Sequence, residues 1–224
     1  MEILYKDKNM IAVYKPSGIP SQPDPTGADD AMTLTSGILR ELGERDELWL
    51  VHRLDRVVAG AMVFARTKRY AALLSELFAT RGASKEYLAV VEGRAEGGVL
   101  TDLLFKDSAK GKAFVVKSER RGVKRAELEY TPLAVAECEG GCHTLVRIEL
   151  HTGRFHQIRA QFSSRGMAVV GDGKYGSHDN RARGIALISH RIRFVVEGKD
   201  YDIVAYPELT AYPWSEFGIS KEQL

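Results

Sequence analysis

The chain has 224 residues, of which 44% are hydrophobic and 28% are charged. This composition excludes a disordered chain, and no apolar run is long enough to cross a bilayer, so we expect a soluble globular protein. The net charge of +2 is far below that of a dedicated nucleic-acid-binding domain, so binding to RNA or DNA would require clustered basic residues. The first ten residues do not resemble a signal peptide, and the expected compartment is the cytosol.

The N-terminal part predicts a strand, a loop and a helix. The strand is "MIAVYK", and the loop covers residues 15–30, which are rich in Pro, Gly and Asp. Either Asp29 or Asp30 is expected to cap the helix, which ends at Gly43. The predicted apolar face of this helix is Leu34, Ile38 and Leu42.

A strand, a helix and a second strand are predicted next. The first strand covers residues 61–66, Thr67 caps the helix, Gly82 ends it, and the second strand covers residues 85–93. The apolar residues at helical spacing are Tyr70, Leu73, Leu74, Leu77 and Phe78.

From residue 100 to residue 150 the apolar pattern changes to period two, which predicts antiparallel hairpins, one of them around Lys110-Gly111. A further hairpin is predicted near the C-terminus, with its turn at Gly198-Lys199. Strands and helices are mixed without a strict alternation, so the predicted class is α+β, with a mixed, largely antiparallel central sheet flanked by helices. No phosphate-binding glycine loop occurs, and we expect no nucleotide cofactor.

Two other features each have two interpretations. Cys138, Cys142 and His143 could provide three zinc ligands, but the sequence offers no obvious fourth. The alternative is that the two cysteines are small apolar residues beside a turn. We expect no metal site there. Basic residues are concentrated in residues 117–125 and 181–193, which indicates either contact with a nucleic acid or a solvated surface.

The segment "VHRLDR" places Asp55 between two arginines, Arg53 and Arg56. A second polar cluster, residues 151–166, predicts a helix that is capped by Thr152 and ended by Gly166. Its apolar stripe is Phe155, Ile158 and Phe162.

Arg159 lies at the edge of that stripe, where its guanidinium needs an anionic partner because it cannot lose its proton. The alternatives are another acidic residue or a side chain that extends to water. We predict that Arg159 pairs with Asp55. Arg154, His156 and Gln157 crowd the predicted first turn, where a substrate phosphate is a natural ligand.

The two clusters together resemble the RluA-type RNA pseudouridine synthase family. The H-R-L-D motif of that family matches His52-Arg53-Leu54-Asp55, and its K-x-Y motif matches Lys85-Glu86-Tyr87. The motif L-x-T-G-R-x-H-Q-I-R matches residues 150–159, and G-D-x-x-Y-G matches residues 171–176. The opening strand and its K-P-x-G loop are also similar, so the resemblance extends from about residue 3 to residue 206.

The sequence departs from this family at two places. After H-R-L-D the family usually continues R-D-T-S-G, whereas here Arg56 is followed by Val57-Val58-Ala59-Gly60, which removes three polar side chains. Ser189 stands where the family prefers an apolar residue before a histidine. We also expect the chain to be a single pseudouridine synthase catalytic domain over residues 1–224, without the small RNA-binding module that many members carry ahead of it.

The resemblance implies the pseudouridine synthase fold and the isomerisation of uridine to pseudouridine in structured RNA, either ribosomal or transfer RNA. Asp55 is the expected essential carboxylate, which either attacks the sugar, attacks the ring or removes a ribose proton. Arg159 is expected to pair with it and Tyr87 to stack on the uracil.

Arg53 is expected to occupy the space that the flipped base leaves, and His52 either orients the loop or contacts RNA. Arg154, His156 and Gln157 complete the expected substrate-binding residues. No cofactor is expected, and the default is a monomer. The rival functions are a non-catalytic RNA-binding protein on the same scaffold and a metal-dependent hydrolase; no acidic cluster near Asp55 supports the second.

Overall fold

The computed structural model describes residues 1–25, 27–138, 141–179 and 181–224. The strands are β1 (Glu2–Lys6), β2 (Met10–Lys15), β3 (Trp49–Leu50), β4 (Ala59–Ala65), β5 (Ala83–Glu92), β6 (Gly98–Asp107), β7 (Lys112–Val116), β8 (Val123–Cys138), β9 (Gly141–Leu150), β10 (Leu187–Val196) and β11 (Lys199–Val204). The α-helices are α1 (Ala31–Glu41), α2 (Lys68–Ala79) and α3 (Gln157–Ser163). Short 3-10 helices lie at Gly173–Tyr175, Trp214–Phe217 and Lys221–Gln223.

The chain divides into two compact units. The first unit comprises Met1–Lys85 and Ile188–Pro207, and the second comprises Glu86–Leu187 and Glu208–Leu224. The expectation of a single catalytic domain over residues 1–224 stays a prediction.

In the first unit, β2 pairs antiparallel with both β1 and β4, and β3 pairs antiparallel with β4. The start of β10 pairs parallel with β4 at Ala59 and Gly60, and β11 returns antiparallel along β10. The predicted strand "MIAVYK" coincides with β2, and its first four residues are completely buried. The C-terminal hairpin is confirmed by the pairing of Val196 with Lys199.

Helices α1 and α2 confirm the predicted caps. The Asp30 carboxylate accepts hydrogen bonds from the backbone N–H groups of Met32 and Thr33, and Thr67 accepts one from Tyr70. The predicted buried face of α1 was wrong by one position, because Ala31, Thr35 and Leu39 are its buried residues and Leu42 is 55% exposed. Helix α2 contributes Tyr70 and Leu74 to the core of the first unit.

The second unit contains the antiparallel strand order β5-β9-β8-β6-β7. The predicted hairpin around Lys110-Gly111 is confirmed, since Asp107 on β6 pairs with Lys112 on β7. The register of β8 against β9 shifts between Pro132 and Ala134, where proline has no N–H group for the ladder. The turn predicted beside Cys138 and Cys142 includes Glu139 and Gly140, and these two residues and the side chain of Cys138 lie outside the described residues.

Strand β4 pairs parallel with β10, whereas the other strand pairs described above within each unit are antiparallel, so the strands form a mixed and largely antiparallel arrangement. Together with three α-helices this confirms the predicted α+β class. Within the described ranges, no helix has both the length and the apolar character needed to span a membrane.

Gly60 allows the close parallel contact between β4 and β10. Its φ is +114°, and a Cβ atom there would lie 2.2 Å from the carbonyl oxygen of Ser189. Gly60→Ala should therefore lower the free energy of unfolding by roughly 3 kcal/mol or more, measured by urea denaturation. The control is Gly37→Ala in α1, where nothing lies within 4 Å of the added atom and the change should stabilise by up to about 1 kcal/mol. Equal stabilities of the two variants would contradict the steric argument.

Candidate active site

The segment around Asp55 in the first unit is bonded to the loop that follows β2. The Ser21 hydroxyl donates to the Leu54 carbonyl oxygen (2.8 Å), and the Leu54 N–H donates back to the Ser21 Oγ (3.0 Å). On the other side of Asp55, the carbonyl oxygen of Arg56 accepts a bond from the Gly18 N–H (2.8 Å). The backbone is therefore bonded to this loop, defined here as residues 15–21, on both sides of Asp55.

Lys15 is a second link between this loop and the Asp55 segment. Its side chain is completely buried, and its Nζ donates to the carbonyl oxygens of Pro16, Ile19 and Arg56 at 2.9, 2.8 and 3.2 Å. Burial lowers the pKa of Lys15 to about 8, while the negative charge of Asp55 acts in the opposite direction. Lys15 is thus largely protonated at neutral pH and interacts electrostatically with Asp55.

The family departure at residues 57–59 is accommodated by backbone bonds. The Val58 N–H donates to the Asp55 carbonyl oxygen (3.0 Å), and the Ser17 hydroxyl donates to the Val57 carbonyl oxygen (2.8 Å). The Arg56 Nε donates to the Gly18 carbonyl oxygen (2.8 Å). Apolar side chains at these positions therefore do not leave the turn without hydrogen bonds.

His52 and Arg53 lie in different environments. The His52 Nε2 accepts a hydrogen bond from the Val63 N–H (2.9 Å), and its ring stacks on Phe78 with centroids 4.4 Å apart. Burial, with a smaller contribution from Lys85, lowers the pKa of His52 to about 3, so the ring is neutral at physiological pH. These contacts fit the interpretation in which His52 orients the loop. Arg53 is exposed to solvent.

In the second unit, the segment before α3 differs from the predicted helix start. The predicted cap, Thr152, is wrong: α3 begins at Gln157, and the Thr152 hydroxyl bonds to the Gln157 Oε1 (2.7 Å) instead. The same oxygen accepts the Arg154 N–H (3.0 Å), and the Gln157 Nε2 donates to the Glu127 carbonyl oxygen (3.0 Å). Gln157 is buried and fixes the loop before the helix, so Arg154 and His156 precede the first turn and do not lie within it.

Arg159 is buried, as the sequence predicted, and the structure gives it a partner that sequence reasoning missed. Its Nε and Nη2 donate to the two carboxylate oxygens of Asp172 at 2.6 and 2.9 Å, with both side chains at most 4% exposed. The guanidinium carbon lies 4.8 Å from the centre of the Tyr175 ring. Asp172 and Tyr175 are the polar residues of the G-D-x-x-Y-G match, so the signal for this pair was present in the motif. The expected pairing with Asp55 stays a prediction.

His156 has a left-handed backbone conformation, with φ of 51°, which is uncommon for residues other than glycine. Its Nδ1 lies 2.9 Å from the Tyr175 hydroxyl, which also accepts the Ala113 N–H (2.7 Å). Burial first, and then the positive charges of Arg159, Lys174 and Lys106, lower the pKa of His156 to about 3. A neutral His156 ring can accept a hydrogen bond from the Tyr175 hydroxyl at Nδ1.

The other expected site residues also lie in the second unit. Tyr87 is buried at 8% exposure on β5, opposite Ile148 on β9. Arg154 is exposed, and its Nε donates to the Arg125 carbonyl oxygen (3.0 Å). Asp55, His52 and Arg53 thus share the first unit, and Tyr87, Arg154, His156, Gln157 and Arg159 share the second.

Arginines of both basic runs are paired with neighbouring acidic residues. In residues 181–193, Arg181 bonds to Asp179 and Arg191 bonds to Asp202. In residues 117–125, Arg120 lies over the Phe105 ring, 4.5 Å from its centre, and Arg125 pairs with Glu127 at 3.1 Å. The positive charge of both runs is thereby partly neutralised by acidic neighbours.

His143, one of the three side chains considered as zinc ligands, lies beside a carboxylate. His143 is buried, and its Nδ1 lies 2.7 Å from a Glu216 carboxylate oxygen. Within the described parts of the chain, no group of three or more His, Cys, Asp or Glu side chains could bind a metal ion.

Comparison with known proteins assigns the family. The family model described as RNA pseudouridylate synthase matches residues 9–164. Over 198 residues the chain is 29% identical to tRNA pseudouridine synthase C of Haemophilus influenzae, covering 85% of this chain and 80% of that protein. Over 205 residues it is 28% identical to ribosomal large subunit pseudouridine synthase D of Borreliella burgdorferi, covering 87% of this chain but only 60% of that protein.

The fold is shared with a solved structure titled Human RNA Pseudouridylate Synthase Domain Containing 1. The TM-score is 0.80 at 20% sequence identity, covering 99% of this chain and 91% of the other. The predicted pseudouridine synthase fold is therefore confirmed. The chain belongs to the RNA pseudouridylate synthase family, and its predicted enzyme class, an RNA pseudouridine synthase, is confirmed.

The Arg159–Asp172 pair should be one of the costlier side-chain pairs to break. Asp172→Asn leaves a buried guanidinium without its carboxylate, and we expect a loss of about 3 to 5 kcal/mol in the free energy of unfolding, measured by urea denaturation. The matched control is Asp46→Asn, which breaks the exposed pair of Arg40 and Asp46 and should change stability little. Equal effects of the two substitutions would refute the importance of burial at Asp172.

The low pKa of His52 predicts a loss of stability in acid. Below pH 6.5 the unfolded chain takes up a proton that the folded ring, with its pKa of about 3, does not, so unfolding becomes easier as the pH falls. Between pH 7 and pH 5 this linkage amounts to about 2 kcal/mol. His52→Gln should lower stability at pH 7 but reduce its decrease toward pH 5 by that amount, measured by denaturation at both pH values. Parallel decreases in the two proteins would contradict a neutral His52 in the folded chain.

Proposed function

We propose that the chain isomerises specific uridines to pseudouridine in ribosomal or transfer RNA. The observation that carries the proposal is the match to the RNA pseudouridylate synthase family over residues 9–164. Relatives named for ribosomal and for transfer RNA are about equally similar to this chain, so both substrates remain within the proposal. The rival function is a non-catalytic RNA-binding protein on the same scaffold.

We propose Asp55 as the essential carboxylate. It is the acidic residue of the H-R-L-D motif, it is partly exposed, and the backbone on both sides of it is bonded to residues 15–21. The reaction breaks the bond between ring nitrogen and ribose and forms a carbon–carbon bond in its place. Attack on the sugar, attack on the ring and removal of a ribose proton each require an ionised carboxylate. The positive charge of Lys15 favours that ionised form.

Arg159 and Tyr87 have proposed roles beside Asp55. Arg159 would pair with Asp55 in addition to Asp172, since a guanidinium carries five N–H donors and can bind more than one carboxylate. The rigid support from Asp172 and Tyr175 would limit the movement of the charge during the reaction. Tyr87 would stack on the uracil, since an aromatic face binds any base without reading its sequence.

The remaining roles concern RNA binding. The target nucleotide must leave its stack to reach a carboxylate, and the exposed Arg53, two residues before Asp55, suits the vacated space. Arg154 lies at the surface, where a phosphate of the RNA could contact it. His156 and Gln157 would act mainly by shaping the loop before α3. We further propose that the protein acts in the cytosol as a monomer and that the reaction needs no cofactor.

The direct test is Asp55→Asn, which retains the shape of the side chain and removes its charge. Single-turnover reactions would use unmodified transcripts of ribosomal and transfer RNA labelled with tritium at uracil carbon 5, because formation of the new bond releases that hydrogen. We expect tritium release by the wild-type chain, no release by Asp55→Asn, and unchanged melting temperature and RNA affinity.

The control Asp46→Asn should react at the wild-type rate. Near-normal turnover by Asp55→Asn would refute the role of Asp55. RNA binding by the wild-type chain without tritium release from any transcript would favour the non-catalytic rival. Loss of activity with a metal chelator would indicate the metal-dependent chemistry that the proposal excludes.

A further inference from the structure

We propose that Ser21 is a positioning residue for Asp55, whose hydroxyl fixes the backbone immediately before the carboxylate. This inference rests on the proposed function, because it gives Ser21 a role in the reaction assigned to Asp55. The Ser21 side chain is not expected to touch the substrate. It would act through the conformation of Leu54 and, through that residue, on the direction of the Asp55 side chain.

The geometry at Leu54 carries the proposal. One hydroxyl group bonds to both polar backbone groups of Leu54, donating to its carbonyl oxygen at 2.8 Å and accepting its N–H at 3.0 Å. Ser21 is 5% exposed and Leu54 is 7% exposed. Because water has little access, removal of the hydroxyl would leave two buried backbone groups without partners. The peptide that leads into Asp55 would then lose the bonds that define its conformation.

The departure at residues 57–59 makes this support more important in this chain. Val57, Val58 and Ala59 stand where the family usually has Asp, Thr and Ser, and their side chains cannot form hydrogen bonds. On this C-terminal side of Asp55, the side-chain bonds to the turn's backbone come from Ser17 and Lys15 of the loop. Support for the turn therefore comes from residues 15–21.

Ser21 differs from the other members of that loop. Ser17 is exposed, so water can replace its bond to Val57, and Lys15 divides its bonds among three carbonyl oxygens. Ser21 is buried and bonds to the residue that directly precedes Asp55. Its loss should therefore displace the carboxylate more than the loss of Ser17 does.

The expected consequence is a slower reaction with little change in RNA affinity. A small displacement of a reacting group lowers the rate strongly, whereas RNA affinity is distributed over many phosphate contacts. Ser21→Ala should lower the single-turnover rate by about tenfold or more at saturating RNA. Its dissociation constant for the same RNA should stay within about twofold of the wild-type value.

The matched control is Thr35→Val. This change also removes a buried hydroxyl from the first unit, where Thr35 donates to the Ala31 carbonyl oxygen (2.6 Å) within α1. It should cost a similar amount of stability without lowering the rate. A second measurement, hydrogen exchange of the Leu54 amide, should be faster in Ser21→Ala and unchanged in Thr35→Val, because only the first substitution removes the bond to that amide.

The experiment uses the full chain and the tritium-labelled transcripts of ribosomal and transfer RNA. Wild-type rate in Ser21→Ala would overturn the positioning role, as would an equal loss of rate in Thr35→Val. Should Ser21→Ala fail to fold, Ser21→Cys, with a weaker donor of similar size, should fold and react at an intermediate rate, and a wild-type rate would overturn the proposal. Absence of tritium release by the wild-type chain would instead refute the proposed function, and Leu54 exchange would still test the bond.

Discussion

The backbone around Asp55 is bonded to the loop of residues 15–21, and the placement of the proposed reacting carboxylate depends on these bonds. Buried backbone N–H and C=O groups need partners, and here the Ser21 hydroxyl, the Lys15 ammonium and the Gly18 N–H provide them. A conformation that moved Leu54 or Arg56 would break several of these bonds at once. The loop thereby restricts the backbone on both sides of Asp55, and a fixed backbone favours the precise placement that a reacting carboxylate needs. The same loop brings the Lys15 charge close enough for Asp55 to influence its pKa.

In the second unit, a charged residue is also held in place by hydrogen bonds, but here the bonds join side chains. Arg159 is fixed by two bonds to Asp172 and by the face of Tyr175, and the Tyr175 hydroxyl joins His156 to Ala113 on β7. A buried charge that is paired in this way has little freedom to rotate. His156 adopts a left-handed backbone conformation within this network, which is a cost that the surrounding contacts must offset.

Much of the fold was predictable from local sequence. The caps are predictable at Thr67 and at Asp29 or Asp30, because such side chains satisfy the N–H groups at a helix start two or three positions away, and the structure selects Asp30. The prediction of a cap at Thr152 was wrong because its hydroxyl bonds to Gln157 and to Glu127, a residue 25 positions away. Periodicity cannot reveal such a distant partner.

Site residues that belong to a sequence motif could be predicted. Partners that come from distant parts of the chain could not. The burial of Arg159 followed from its place at the edge of a helical stripe, but its partner Asp172 is 13 positions away, just before the 3-10 helix Gly173–Tyr175. Asp55 was the more conspicuous carboxylate in the sequence, because two arginines flank it. Lys15 was marked only as the lysine of the K-P-x-G motif, and Ser21 gave no local signal, since their partners, Arg56 and Leu54, are 41 and 33 positions away.

The central claim is that this chain makes pseudouridine with the carboxylate of Asp55. The most direct measurement is a map of pseudouridines in the total RNA of cells that lack the gene, complemented either with the intact protein or with Asp55→Asn. The account predicts that one or a few positions in ribosomal or transfer RNA regain the modification with the intact protein and stay unmodified with the variant. Identical maps in both strains would contradict it.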